Sequence, residues 1–280
     1  MFKRADTLPH ETLETNLLTL LGLALSNLAR VPRSFGVLLL ALGMSFSAYA
    51  AEAEVKVAVA ANFTAPMRVI AQMFEKDTGH KAVLSFGATG QFYAQIKNGA
   101  PFDMLLAADE KTPARIADEG LGLKETQLTY ATGKLVLWSK DPNLVDDKGQ
   151  VLKSGNFAKI AIANPKLAPY GAAAMEVLKA LELQSALSPR FVEGASIGQT
   201  FQFVASGNAP LGFVALSQVF EQGRIKTGSA WIIPSNLHAP IRQDLIVLNS
   251  GKGKAATHAL LGYMRSDAAK AVIRSFGYDI

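Results

Sequence analysis

Residues 55–109 read VKVAVAANFTAPMRVIAQMFEKDTGHKAVLSFGATGQFYAQIKNGAPFDMLLAAD, and the period of their apolar residues changes from element to element. Residues 55–61 are a strand-length run of small apolar side chains. Met67, Ile70, Ala71 and Phe74 then recur at i, i+3, i+4 and i+7, the apolar face of a helix that Thr78-Gly79 stops. Residues 81–86 form a second strand. The turn Gly87-Ala88-Thr89-Gly90 leads into a helix carrying Phe92, Tyr93 and Ile96, and residues 103–108 form a third strand. Strands separated by helices need crossover connections, so this stretch predicts a parallel sheet with helices on both faces.

The same alternation continues. Strand-length apolar runs occur at 134–138, 159–163, 211–215 and 245–248, with helical patterns at 172–183 and 200–206 between them. The fold class is therefore α/β, with more strands than one small sheet needs and room for two lobes. The 280 residues are 49% hydrophobic and 18% charged, which is enough apolar material for a large core.

The first 50 residues have a different character. Arg30 and Arg33 precede an apolar stretch at 35–44, and Ala48-Tyr49-Ala50 follows it, the pattern of a secretory signal cleaved after Ala50. The apolar stretch is short for a membrane span. About thirty residues stand in front of this signal, including a second amphipathic stretch at 17–25. A start placed too early is the preferred account, with an unusually long leader and an uncleaved anchor as the others. The formal net charge is +5, with no Lys/Arg block, which argues against nucleic acid as a partner. The absence of cysteine excludes disulfides, thiol catalysis and Cys-ligated metals. A soluble exported protein of the periplasm is expected.

Several loops share one construction: an apolar strand, a short turn of small or polar residues, then a helix. They are Ala61-Asn62-Phe63-Thr64, Phe86-Gly87-Ala88-Thr89-Gly90, the stretch 163–171 ending in Pro169-Tyr170-Gly171, and Gly194-Ala195-Ser196-Ile197-Gly198. Helix N-termini carry free N–H groups and partial positive charge, so several that converge make an anion site without Arg or Lys. In open α/β sheets such turns fall beyond the carboxyl ends of the strands, where ligands bind. Gly87, Gly90, Gly171 and Gly198 would let the backbone come close to an anion. Each turn also has a plainer reading. Asn62 is a good N-cap, Thr89 could cap its helix, and Tyr170 could be a half-buried turn residue.

Signs of catalysis are weak. His80, His238 and His258 are isolated, His10 lies in the leader, and neither a nucleophile elbow nor a P-loop is present. Asp103 and Asp109, near the end of the third strand, leave open a metal or acid–base site, against a structural role in turn and cap.

The stretch 55–109, together with IAIANPKLAPYGAAAMEVL (160–178), GNAPLGFVALSQ (207–218) and the closing KAVIRSFGYDI (270–280), resembles the periplasmic molybdate-binding proteins of ABC uptake transporters. The resemblance spans residues 53–280 and leaves out the leader. It implies two α/β lobes of the type II periplasmic-binding-protein fold, 51–131 plus 235–280 and 132–234, joined by crossing hinge strands. It implies a binding protein and not an enzyme. The ligand would be molybdate, or tungstate as its mimic, bound as the oxyanion with no cofactor and no metal cation. The partner would be a membrane permease and the protein a monomer. The ligand positions it implies are Asn62, Thr89, Tyr170 and the backbone N–H of Ile197. One branch of the family has Ser where Asn62 stands and a ligand Tyr where Ala215 stands. Asn62 and Tyr170 match a second branch, and the departure puts the hydrogen-bond set in question rather than the oxyanion class. Carriage of sulfate or another tetrahedral oxyanion is the alternative, and a secreted enzyme using Asp103 or Asp109 the remote one.

Overall fold

The computed structural model describes residues 54–221 and 223–280, so the expected leader and its cleavage site lie outside the described residues. A first sheet runs in the order β2 (Lys81–Gly87), β1 (Glu54–Ala60), β3 (Met104–Leu106), β12 (Ile241–Val247) and β4 (Leu128–Gly133). A second has the order β11 (Ser229–Ile232), β5 (Leu135–Ser139), β8 (Leu211–Ala215), β6 (Ile160–Ala163) and β7 (Phe191–Gly194). A short hairpin, β9 (Phe220–Glu221) and β10 (Arg224–Ile225), stands apart.

The parallel core expected from residues 55–109 is present: β1 pairs in parallel with both β2 and β3. The sheet as a whole is mixed, because β12 pairs antiparallel with β3 and β4. That strand arrives from the far end of the chain, so local periodicity around residue 55 could not reveal its direction. Among the described residues, seven helices of eight or more residues cover the sheets: α1 (Thr64–Thr78), α2 (Thr89–Lys97), α3 (Lys111–Asp118), α4 (Pro169–Ala180), α5 (Ile197–Ala205), α6 (Ala255–Tyr263) and α7 (Asp267–Ser275).

Alternation along β1 explains why both faces of the first sheet are covered. Val55, Val57 and Val59 pack on one face with Met67, Ile70 and Phe74 of α1, while Ala58 faces Phe92 and Ile96 of α2 on the other. Full burial of each such large side chain contributes about 1.5–3 kcal/mol. Helix α1 ends where Gly79 adopts φ 74°, a left-handed cap that glycine takes without steric cost. Helix α4 starts at Pro169, three residues before the helical pattern expected at 172. Proline tolerates the first helical turn because it has no N–H to satisfy there.

The chain passes from the first sheet to the second between Gly133 and Leu135, and returns between Ile232 and Ile241. The C-terminus ties down the first passage: Thr132 and Asp279 exchange backbone hydrogen bonds of 2.7 and 3.1 Å.

Candidate functional site

Asn62, Thr89, Tyr170 and Ile197, far apart in sequence, line one small cavity with Ala61, Ala88, Ala168 and Pro169 among its other walls. None of the side chains lining it is charged. Three helices begin at its wall. Helix α2 opens at Thr89, α4 at Pro169-Tyr170 and α5 at Ile197, so their unpaired N–H groups and the positive ends of their dipoles meet there. Pro169 has no N–H, which makes Tyr170 the first donor of α4. Gly171 allows this approach, since a Cβ at that position would fall 2.1 Å from the Ala163 carbonyl oxygen.

The walls come from elements of both sheets and already touch. Gly90 N–H donates to Leu167 O at 2.9 Å. The cavity is only about 10 Å³, at the lower limit for a single water. A polyatomic solute therefore enters only when the walls part.

Neither polar side chain serves as a helix cap. The residue before α1 is Phe63, no side chain caps that helix, and Ala88 holds the cap position of α2. Asn62 is buried and its Nδ2 donates to Gln243 Oε1 at 2.8 Å and to Tyr278 OH at 3.0 Å. Its Oδ1 has no hydrogen-bond partner among the described residues. Thr89 Oγ1 accepts from Ala108 N–H at 3.0 Å, which leaves its hydroxyl proton free. Tyr170 OH accepts from Gln243 Nε2 at 3.0 Å.

Beneath the cavity lies a buried polar cluster that sequence reasoning missed. Tyr130 OH is 2.9 Å from Ala107 O and 3.1 Å from Gln243 Oε1. Ser217 Oγ donates to Asn62 O at 2.8 Å, and Tyr278 OH is 2.9 Å from both Asn62 O and Ser217 Oγ. Burial pushes the Tyr278 phenol up to about 12 and those of Tyr130 and Tyr170 well above their ordinary value. All three keep their protons at neutral pH. The pairing of β12 with β4 steps from Gln243↔Ala131 to Asp244↔Thr129, skipping Tyr130, and this bulge brings the Tyr130 hydroxyl to Gln243. An uncharged Gln inside the run Ile241–Val247 was the available signal for an inward polar position.

A wider cleft of about 560 Å³ adjoins the cavity and shares Ala108, Ala168 and Pro169 with it. Charges of both signs line it, and Arg242 Nε is paired with Glu110 at 3.1 Å, so no single-sign field results. Asp109 lies here. Its carboxylate accepts from Thr112 N–H at 2.6 Å and from Thr112 Oγ1 at 3.2 Å, at the start of α3. Asp103 accepts from Lys56 N–H and from Lys254 Nζ, at 2.8 and 2.9 Å. Both carboxylates thus hold backbone in place, and no group of three potential metal ligands occurs among the described residues.

Burial raises the Asp109 carboxyl above its ordinary value, against the Thr112 hydrogen bonds. Ionisation then costs folding stability, from about the unfolded value upward, and the cost is complete once pH passes the raised folded value. Asp109→Asn is expected to gain stability over the wild type as pH rises from 3.5 to 7, measured by urea unfolding. A pH-independent difference would sink this account.

Comparison with known proteins agrees with the fold. Residues 55–279 match the family model described as bacterial extracellular solute-binding protein. The chain belongs to this family. This solute-binding protein is 55% identical over 248 residues, 88% of its own length and 98% of the relative's, to the molybdate-binding protein ModA of Azotobacter vinelandii. It is 47% identical to the molybdate-binding protein ModA of Rhodobacter capsulatus, over 87% of this chain and 95% of that one. Among solved structures, the periplasmic molybdate-binding protein of Azotobacter vinelandii superimposes with a TM-score of 0.78 at 42% identity, covering 81% of this chain and 99% of that chain. The two-sheet α/β architecture is that of the periplasmic binding proteins, as the resemblance implied.

Proposed function

We propose that the protein captures molybdate in the periplasm, takes tungstate as a close mimic, and delivers the anion as a monomer to an ABC permease. The observation that carries this reading is the uncharged cavity at which three helix N-termini converge with Asn62 and Thr89. A dianion that only accepts hydrogen bonds suits a pocket whose backbone and hydroxyl groups donate, because dipoles stabilise it without a counter-charge. The names of the relatives at 55% and 47% identity support the choice of molybdate. Size separates the ions: sulfate has shorter bonds to oxygen and would leave donors unpaired, which costs about 1–3 kcal/mol for each buried group.

The two sheets act as lobes, hinged at Gly133–Leu135 and Ile232–Ile241. Donors from both lobes meet the ligand only when closed, so binding favours closure. The protein acts by binding and performs no reaction on its ligand.

Calorimetric titration of the mature protein with molybdate, and with molybdate against excess sulfate, tests the proposal. Micromolar or tighter binding that survives sulfate is expected. No binding would refute it, and equal displacement by sulfate would reassign the ligand. Thr89→Ala removes the hydroxyl proton left free by Ala108 and is expected to weaken molybdate binding by about 1.5–3 kcal/mol. Thr89→Ser should retain most of the affinity. Equal losses in both variants would place the hydroxyl outside the ligand shell.

A further inference from the structure

Gly90 has no conformational reason to be glycine. It is the second residue of α2 and does not take a positive φ, so any residue could adopt its backbone. Alanine is the better helix former. What calls for glycine is the approach of another element. A Cβ at position 90 would lie 3.1 Å from both Cα and O of Leu167, and the three atoms nearest to it all belong to Leu167.

Those backbone atoms are held from their own side. Leu167 lies in the turn between β6 and α4, where Leu167 N–H and Ala168 N–H donate to Asn164 O at 3.1 and 2.9 Å. Asn164 N–H in turn donates to Gly194 O, at the end of β7, at 2.8 Å, which anchors the turn to the second sheet. Gly90 belongs to the first sheet, because α2 packs Phe92 and Ile96 against Ala58 and Leu105. The Gly90–Leu167 hydrogen bond of 2.9 Å therefore joins the two lobes, one residue from Thr89 and three from Tyr170.

The bond has two further properties. The first N–H groups of a helix find no acceptor within it, and Gly90 takes its acceptor from the opposite lobe. Its protection from solvent thus lasts only while the lobes are together. The bond also stands between two spaces. Thr89 lines the small cavity and not the wide cleft, Gly90 and Leu167 line the cleft and not the cavity, and Ala168 lines both.

We propose that Gly90 is the positioning residue of a door: its N–H and bare Cα close on Leu167 behind the bound anion, shut the cavity off from the cleft, and set how long the ion is held. The proposal rests on the oxyanion reading above and adds the contact that controls release. A methyl group at position 90 obliges its neighbour to give by a few tenths of an ångström. The anchored turn resists, so the lobes part by that amount. Thr89 on one side and the start of α4 on the other are drawn apart with them.

The first test uses Gly90→Ala, with sodium molybdate as the probe. Stopped-flow dissociation is expected to be about 10-fold faster than in the wild type and association within about twofold, because the door closes after encounter. Urea unfolding of the ligand-free variant should show stability equal to or above the wild type, since its helix gains a better former and the clash arises only on closure. A merely structural glycine would move stability down and leave dissociation unchanged, and either result overturns the proposal. The second test needs no variant. In the 15N-labelled wild type, amide exchange at Gly90 should be slowed about 100-fold or more by saturating molybdate. Exchange that is equally fast, or equally slow, with and without molybdate overturns the door. Failure of the wild type to bind molybdate would refute the oxyanion reading itself, a result distinct from binding with an unresponsive Gly90.

Discussion

Gly133→Ala is expected to disable the protein more severely than removal of any one ligand-facing side chain. A Cβ at Gly133 would lie 2.0 Å from Tyr170 OH and 2.5 Å from Gln243 Nε2. Neither can yield freely. Tyr170 is 1% exposed, and Gln243 is fully buried between Asn62 and Tyr130. Gly133 itself is paired with Ile241 at the last position of β4, where the chain leaves the first sheet. Relief requires moving the Tyr170 ring, which carries the N-terminus of α4 away from the cavity and breaks the Gln243–Tyr170 hydrogen bond. Overpacking costs about 1–3 kcal/mol, and the stranded Gln243 donor about 1–3 kcal/mol more. A stability loss of about 2–6 kcal/mol is therefore expected in urea unfolding, with molybdate affinity down about 100-fold or more in any folded fraction. Tyr170→Phe in the same chain deletes the oxygen that the new Cβ strikes. The double variant should be more stable than Gly133→Ala alone, and failure to recover would mean the clash is relieved elsewhere.

How far this architecture could be read from residues alone depended on the range of the forces involved. The β1–α1–β2–α2–β3 run was legible because period-2 and period-3.6 burial are properties of neighbours in sequence. Thr78-Gly79 marked the end of α1 correctly, since the left-handed cap is a local requirement. The direction of β12 was not legible, because its partners, β3 and β4, are more than a hundred residues away. The same limit applies to the site. The turns at 62, 89, 170 and 197 could be picked out one by one, and capping competed at each. The cap reading of Asn62 fails on long-range partners, Gln243 and Tyr278. Gln243 falls just ahead of the apolar run expected as a strand at 245–248, and Tyr278 lies at the chain end. Only the fold shows that β12 and the C-terminus run beneath the cavity.

The sharpest test of the site itself is Asn62→Asp, a change of one atom in shape and of a full charge in chemistry. The variant loses both Nδ2–H donors and places a carboxylate against the anion in a cavity whose lining holds no positive side chain. A hydrogen bond to a charged group contributes about 1.5–3 kcal/mol. Like charges about 4 Å apart repel by about 4 kcal/mol per pair of unit charges at an effective dielectric of 20. A fall in molybdate affinity of about 1,000-fold or more is therefore expected at pH 7, against about 10- to 150-fold for Asn62→Ala, which loses the donors alone. Burial without a cation raises the pKa of the new carboxyl. Its charge, and with it the repulsion, is lost as pH falls below that raised value, so part of the affinity should return on acidification. Calorimetry at pH 5 and pH 7, with urea unfolding to confirm folding, separates the two contributions. If the Asp variant bound as tightly as the Ala variant at pH 7, residue 62 would face away from the anion. The orphaned Oδ1 would then be an ordinary packing defect, and the donor set would have to be rebuilt from the three helix N-termini alone.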